Sequence, residues 1–147
     1  MHSPMATMKR FLFRVIARTA IGLYSYLPIF GYLRASVAVL RKGDLILVID
    51  RNDGRGFSFP GGLARRGETA EQTMRREVHE ETGLIVGKSN FLFDYRSRAD
   101  IPCVISVFEA EVSGSLDESW EGSPRWLSAP EIRSRLLPSQ LEVINRV

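Results

Sequence analysis

Cysteine is almost missing from this 147-residue chain: Cys103 stands alone, inside an apolar run. No internal disulfide can form, which suits a buried structural thiol in a reducing, cytoplasmic compartment. Histidine is nearly as scarce. Two histidines and one cysteine exclude the nitrogen- and sulfur-rich ligand sets of zinc sites. Long hydrophobic runs are absent as well. The uncharged stretch at residues 20–33 is interrupted by Gly22, Pro28 and Gly31 and is too short for a membrane span. Acidic residues are wholly lacking from residues 1–43, which carry seven basic side chains, whereas the rest holds 13 basic and 17 acidic ones. The net charge of +3 therefore belongs to the N-terminus and is no sign of a nucleic-acid partner. With 44% hydrophobic and 25% charged residues and no internal repeat, one domain with a sizeable core is expected.

What is present is concentrated in residues 62–84, GLARRGETAEQTMRREVHEETGL. A glycine turn leads into an amphipathic helix, and Gly83 is placed to end it. Thr69 and Gln72 have capping-box spacing. Glu77, Glu80 and Glu81 recur at i, i+3 and i+4, so the three carboxylates share one face beside the apolar stripe of Met74 and Val78. Like charges so spaced cost an isolated helix roughly 0.2–0.5 kcal/mol per pair. A hard cation between them reverses that sign, and oxygen ligands suit Mg²⁺ or Mn²⁺. The alternative is a charged surface helix. Gln72, His79 and Arg76 fall on the far side of the wheel, where a solvated face is expected.

This stretch resembles the Nudix box, G-x5-E-x7-R-E-U-x-E-E-x-G-U with U apolar. Gly62, Glu68, Arg76, Glu77, Val78, Glu80, Glu81, Gly83 and Leu84 fill every specified position.

The remaining chain reads as strands and short helices. Residues 35–40 and 45–50 are expected as strands joined by a turn at 41–44, with a loop at 51–56 and a short strand at 57–59. Two short strands at 84–86 and 91–95, a long one at 101–112 and another at 125–127 follow. Ser128 with Glu131, and Ser139 with Glu142, carry capping-box spacing for two C-terminal helices. Strands around a central helix, with further helices at the end, suit the α+β class: a mixed sheet sandwiched between helices (α/β/α), which the Nudix resemblance also implies. The domain is expected over residues 34–147, preceded by a basic extension over 1–33. Residues 9–27 form an amphipathic pattern with Arg10, Arg14 and Arg18 on one side. It suits a helix docked on the domain or on a second subunit of a homodimer, a helix lying on anionic membrane lipid, or a targeting presequence.

The resemblance implies hydrolysis of a nucleoside diphosphate linked to another moiety, by water attack on phosphorus with a divalent cation, so a small nucleotide is the expected partner. By position in the box, Glu77, Glu80 and Glu81 are the expected metal ligands, with the Gly61 carbonyl a further one. Arg76 orients the acids, and Glu68 lies near the metal shell or serves as a first-turn acid on the helix. The general base stays open among Glu80, Glu81 and Glu121, the last in an acidic loop before a tryptophan strand. Arg51 is the first choice for substrate phosphates, ahead of Arg55, Arg96 and Arg98. Phe57 and Phe59 are read as base-stacking or core residues. A nucleotide-sensing domain without catalysis remains the alternative, although none of the box acids is lost.

Overall fold

The computed structural model describes Ile16, residues 32–99 and residues 101–147. The expectations for residues 9–27, and for most of the extension over 1–33, lie outside them. Among the described residues no helix is long and apolar enough to cross a membrane.

The elements in order are β1 (Leu33–Lys42), β2 (Leu45–Arg51), β3 (Phe57–Ser58), β4 (Gly61–Leu63), α1 (Ala70–Thr82), β5 (Ile85–Ser97), β6 (Cys103–Ser113), β7 (Gly122–Ser128), α2 (Ala129–Arg133), a 3-10 turn (Pro138–Gln140) and α3 (Leu141–Arg146). β1 is the axis. It pairs in parallel with β6 and antiparallel with β4, and at its end it forms a hairpin with β2. β5 continues the sheet beyond β6, while β2 carries β3 and β7 on its two edges. The sheet is therefore mixed, as expected.

Both faces of the sheet are covered, and the period of two in β1 shows how. Val37 and Val39 point to a core shared with Ile46, Val48, Ile105, Val107 and the C-terminal residues Ile132, Val143 and Ile144. Ala38 and Leu40 point the other way, to Leu47, Phe108, Met74 and Val78. A strand buried on both faces reads as an unbroken apolar run, which is what ASVAVL shows. This gives the helix–sheet–helix sandwich.

Several boundaries differ from expectation. The two strands expected at 84–86 and 91–95 are one strand, β5, with register shifts between Val86 and Ser89 and between Phe91 and Phe93. Such bulges break the alternation and hide continuity in the sequence. The second C-terminal cap is not made by Ser139. Gln140 accepts from the Phe59 N–H at 2.6 Å, which keeps Pro138–Gln140 as a 3-10 turn, and α3 starts only at Leu141. The box-helix ends follow the expectation: Thr69 and Gln72 form a reciprocal capping box, and Gly83 takes φ of 75° to close α1. Cys103 is buried and forms no disulfide.

Met74 is fully buried beneath α1. Met74→Ala should cost about 2–5 kcal/mol, because the packed sheet beneath cannot collapse into the space; urea unfolding measures it.

Candidate active site

α1 is presented by its own ends. The capping box fixes its start, and the left-handed turn at Gly83 sends the chain into β5. Its inner face buries Thr73, Met74, Val78, Thr82 and also Glu81, which is only 3% exposed. A carboxylate so deep must be partnered. The Gly61 N–H donates to Glu81 Oε2 at 2.9 Å, and the Glu121 carboxyl group is a second hydrogen-bond partner. Burial, then the nearby charge of Glu121 and that of Glu77, hold Glu81 well above the ordinary glutamate range, against the Gly61 bond. A buried carboxyl group facing a second one favours a proton or a cation on Glu81.

Glu121 arrives by backbone bonds between two loops. The Asn52 N–H donates to the Glu121 carbonyl at 2.8 Å, and Asn52 Nδ2 donates to the Trp120 carbonyl at 3.0 Å. Gly122 then starts β7 against Arg51. The Asn52 clamp was not expected, since nothing local in the sequence reports a contact across that separation.

Arg76 binds the remaining acids together. Its guanidinium donates to Glu68 at 2.7 and 2.9 Å, to Glu77 at 2.5 Å, to Glu80 at 3.2 Å and to the Leu63 carbonyl at 3.0 Å. The side chain is only 16% exposed, so placing Arg76 on a solvated face was wrong: its length lets it fold back over the box loop. The expected pairing with Glu80 exists, but Glu68 is the closer partner. Glu68 stands before the Thr69 cap and is therefore not a first-turn acid, a place taken by Glu71. Bonds from Arg76 and from the Arg65 N–H hold Glu68 down at about 2. Glu80, half-exposed, also accepts from Arg65 at 3.0 Å.

Arg51 lies close enough to feel the charges of Glu121 and Glu81, but its guanidinium is engaged by Asp53 at 2.6 Å. Burial opposes the charged form of Asp53, and the bonds from Arg51 and the Arg55 N–H outweigh it and lower its pKa. Phe59 is corrected: it is completely buried in the core against the C-terminal segment and has no face to offer a base. Phe57 is buried beside it, with the Arg135 guanidinium 4.7 Å from its ring centroid.

Gly61 and Gly62 must be glycines for different reasons. A Cβ at Gly61 would lie 2.2 Å from the Ser36 carbonyl oxygen, and one at Gly62 would lie 2.7 Å from the Glu77 carboxylate. Loop, sheet and helix thus touch with no side chain between them.

The sequence model of the NUDIX domain matches residues 32–147. The chain belongs to this family. It is 37% identical over 95 residues to the ADP-ribose pyrophosphatase of Methanocaldococcus jannaschii, covering 60% of this chain and 53% of that one. With the 8-oxo-dGTP diphosphatase of Haemophilus influenzae it shares 32% identity over 87 residues, covering 54% and 57%. The chain thus spans little more than half the length of these curated relatives. The crystal structure of a MutT NUDIX hydrolase from Burkholderia pseudomallei superposes with a TM-score of 0.68 over 78% of this chain and 97% of that one, at 21% identity, a likeness of fold.

Nudix hydrolases act on small nucleotides and generally use divalent cations. Among the described residues, no three of His, Cys, Asp and Glu already converge on one point as a cation would require. Arg76 and Arg65 draw Glu77 and Glu80 aside, and Glu81 turns to Glu121. The donor chemistry nevertheless fits: all are oxygen ligands, and the buried Glu81 faces a second carboxyl group, Glu121, with which a cation could be shared.

Two outcomes are expected. Gly62→Ala pushes the Glu77 carboxylate away from the place where Arg76 holds it, so stability should fall by about 1–3 kcal/mol, while divalent-cation affinity by calorimetry should drop about tenfold or more. The second concerns pH. A carboxyl group with a raised folded pKa holds its proton more tightly when folded, so that stability is present in mild acid and lost as pH rises through the shifted value. Cation-free protein should show a Tm that falls as pH rises above the ordinary glutamate range, a slope that added Mg²⁺ removes. A flat profile without cation would exclude a proton held on Glu81. Glu68, with its lowered pKa, acts in the opposite sense and further down, its contribution disappearing as pH falls toward about 2.

Proposed function

We propose that this chain is a cation-dependent pyrophosphohydrolase that cleaves a phosphoanhydride bond in a nucleoside diphosphate linked to another moiety, with water attacking phosphorus. The observation that carries this reading is the buried Glu81 facing Glu121, an arrangement that costs free energy unless it holds a cation. The relatives' names support the same substrate class. ADP-ribose and 8-oxo-dGTP are both nucleoside diphosphates extended by a further group.

Glu77, Glu80, Glu81 and Glu121, with Gly61, are the groups that would hold Mg²⁺ or Mn²⁺. When bound, the ion neutralises diphosphate charge and lowers the pKa of water. The chain's own residues do the rest. Arg76 fixes the orientation of Glu77 and Glu80 while Glu68 holds Arg76 from behind. The Gly61 N–H favours the ionised form of Glu81. Glu121, held in place by the Asn52 bonds, is the acceptor of the water proton. Arg51, steadied by Asp53, sets positive charge beside the carboxylates, where a phosphate oxygen would meet it.

A panel of nucleoside triphosphates, nucleotide sugars and dinucleotides should show phosphate-ester products with Mg²⁺ or Mn²⁺ and none with EDTA. Glu81→Gln should remove most turnover while the fold persists, and Glu121→Gln should lower kcat by well over about tenfold. Turnover surviving EDTA and Glu81→Gln would overturn the assignment. Tight binding of one compound without cleavage would replace it by a sensing role. A loss under about twofold for Glu121→Gln would return proton transfer to the helix acids.

A further inference from the structure

Away from the carboxylates, one corner of the same sheet face gathers arginines. Arg34 on β1 and Arg96 on β5 both pair with Val104 on β6. Side-by-side partners share a face, so the two arginines flank Val104 at roughly 10 Å, twice the strand spacing. Gly62, beneath the Glu77 carboxylate, pairs with Ser36, two residues along β1 from Arg34, which places this corner on the α1 side.

Tyr32 stands at that corner. The guanidinium carbons of Arg96 and Arg98 lie 5.4 and 5.5 Å from its ring centroid, and Arg98 Nε donates to its hydroxyl oxygen at 2.6 Å. Arg34, Arg96 and Arg98 are all exposed. Among the described residues none of the three forms an ion pair with a carboxylate. Other surface arginines do: Arg41, Arg65, Arg75, Arg125 and Arg146 each reach one. Asp94, on the same face and two residues from Arg96, accepts instead from Ser106 Oγ at 2.6 Å. Two guanidiniums therefore flank the Tyr32 ring, whose face offsets part of their repulsion, with Arg34 beside them across β6, and among the described residues none of the three is paired with a carboxylate. Their forked N–H groups match the oxygens of a phosphoryl group. The Tyr32 hydroxyl, accepting from Arg98, still has its own proton to donate.

We propose that Tyr32, Arg34, Arg96 and Arg98 form a phosphoryl-anion site separate from the carboxylate centre. The inference does not depend on hydrolysis. The anion comes either from a soluble phosphate compound or from a lipid headgroup, since Tyr32 and Arg34 belong to the acid-free basic stretch over residues 1–43.

The full chain, free of divalent cations, is titrated with inorganic pyrophosphate at low ionic strength by calorimetry. Without a cation the glutamates repel the anion, so the arginine corner is the reporter. Arg34→Ala and the double change Arg96→Ala/Arg98→Ala should each weaken binding about tenfold, while Glu81→Gln leaves it in place. Circular dichroism checks the fold. If the double alanine variant does not fold, Arg96→Lys/Arg98→Lys keeps the charge but loses the fork and should still weaken binding severalfold. In parallel, sedimentation compares phosphatidylcholine–phosphatidylglycerol vesicles with phosphatidylcholine alone. Pyrophosphate binding lost in the arginine variants supports a soluble source, and vesicle binding lost in the same variants supports a headgroup. Pyrophosphate and vesicle binding unchanged in folded arginine variants, or pyrophosphate binding lost with Glu81→Gln alone, would overturn the site.

Discussion

A carboxyl group placed where water barely reaches is the constraint around which this molecule is built. Glu81 occupies a core position of α1, one turn beyond Val78, and is 3% exposed. Burying an isolated ionised carboxylate is prohibitively costly, so the surroundings must supply hydrogen bonds, a proton or a cation. The close approach of Gly61 provides one bond, and the loop carrying Glu121 provides the second contact. That approach depends on the absence of a side chain at Gly61, where a Cβ would strike the β1 backbone. Helix and glycine loop are therefore tied together at a single buried carboxyl group, and the loop in turn pairs with β1.

Arg76 solves a related problem for the other acids. One guanidinium satisfies Glu68, Glu77 and Glu80 together with a main-chain carbonyl, using its planar fork in several directions. Exposed pairs of this kind are worth little, but Arg76, Glu68 and Glu77 are mostly withdrawn from solvent. In such a setting, removing Arg76 leaves the other charges without their common hydrogen-bond donor. The box arginine is thus structural and preparatory at once: it holds Glu68 below the ordinary glutamate range and aims Glu77 and Glu80, while burial still pushes the Glu77 carboxyl up.

The two layers of the sandwich divide the work. The C-terminal helices and Phe59 complete one apolar core and carry no charge chemistry, whereas the layer under α1 combines Met74 and Val78 with the acids on the adjoining turns. Rigid packing directly beneath the helix is what lets Glu77 and Glu81 be positioned from below. Glu121 is added from the opposite side through Asn52 and the edge pairing of β2 with β7.

The sequence by itself determined the central helix, its caps and the identity of its acids, because those depend on spacing over a few residues and on local hydrogen bonds such as Thr69 with Gln72. It also determined the doubly buried β1 and β2, whose unbroken apolar runs admit few other readings. Only the tertiary structure decided what long-range contact controls: that Arg76 folds inward to Glu68, that Phe59 is sealed in the core, that β5 is one bulged strand, and that Gln140 delays α3 by bonding to the Phe59 N–H. Glu121 could be named from its loop, but its meeting with Glu81 required β7 to dock on β2. Charges and aromatics have long side chains, and spacing says which face they leave from, not where they arrive.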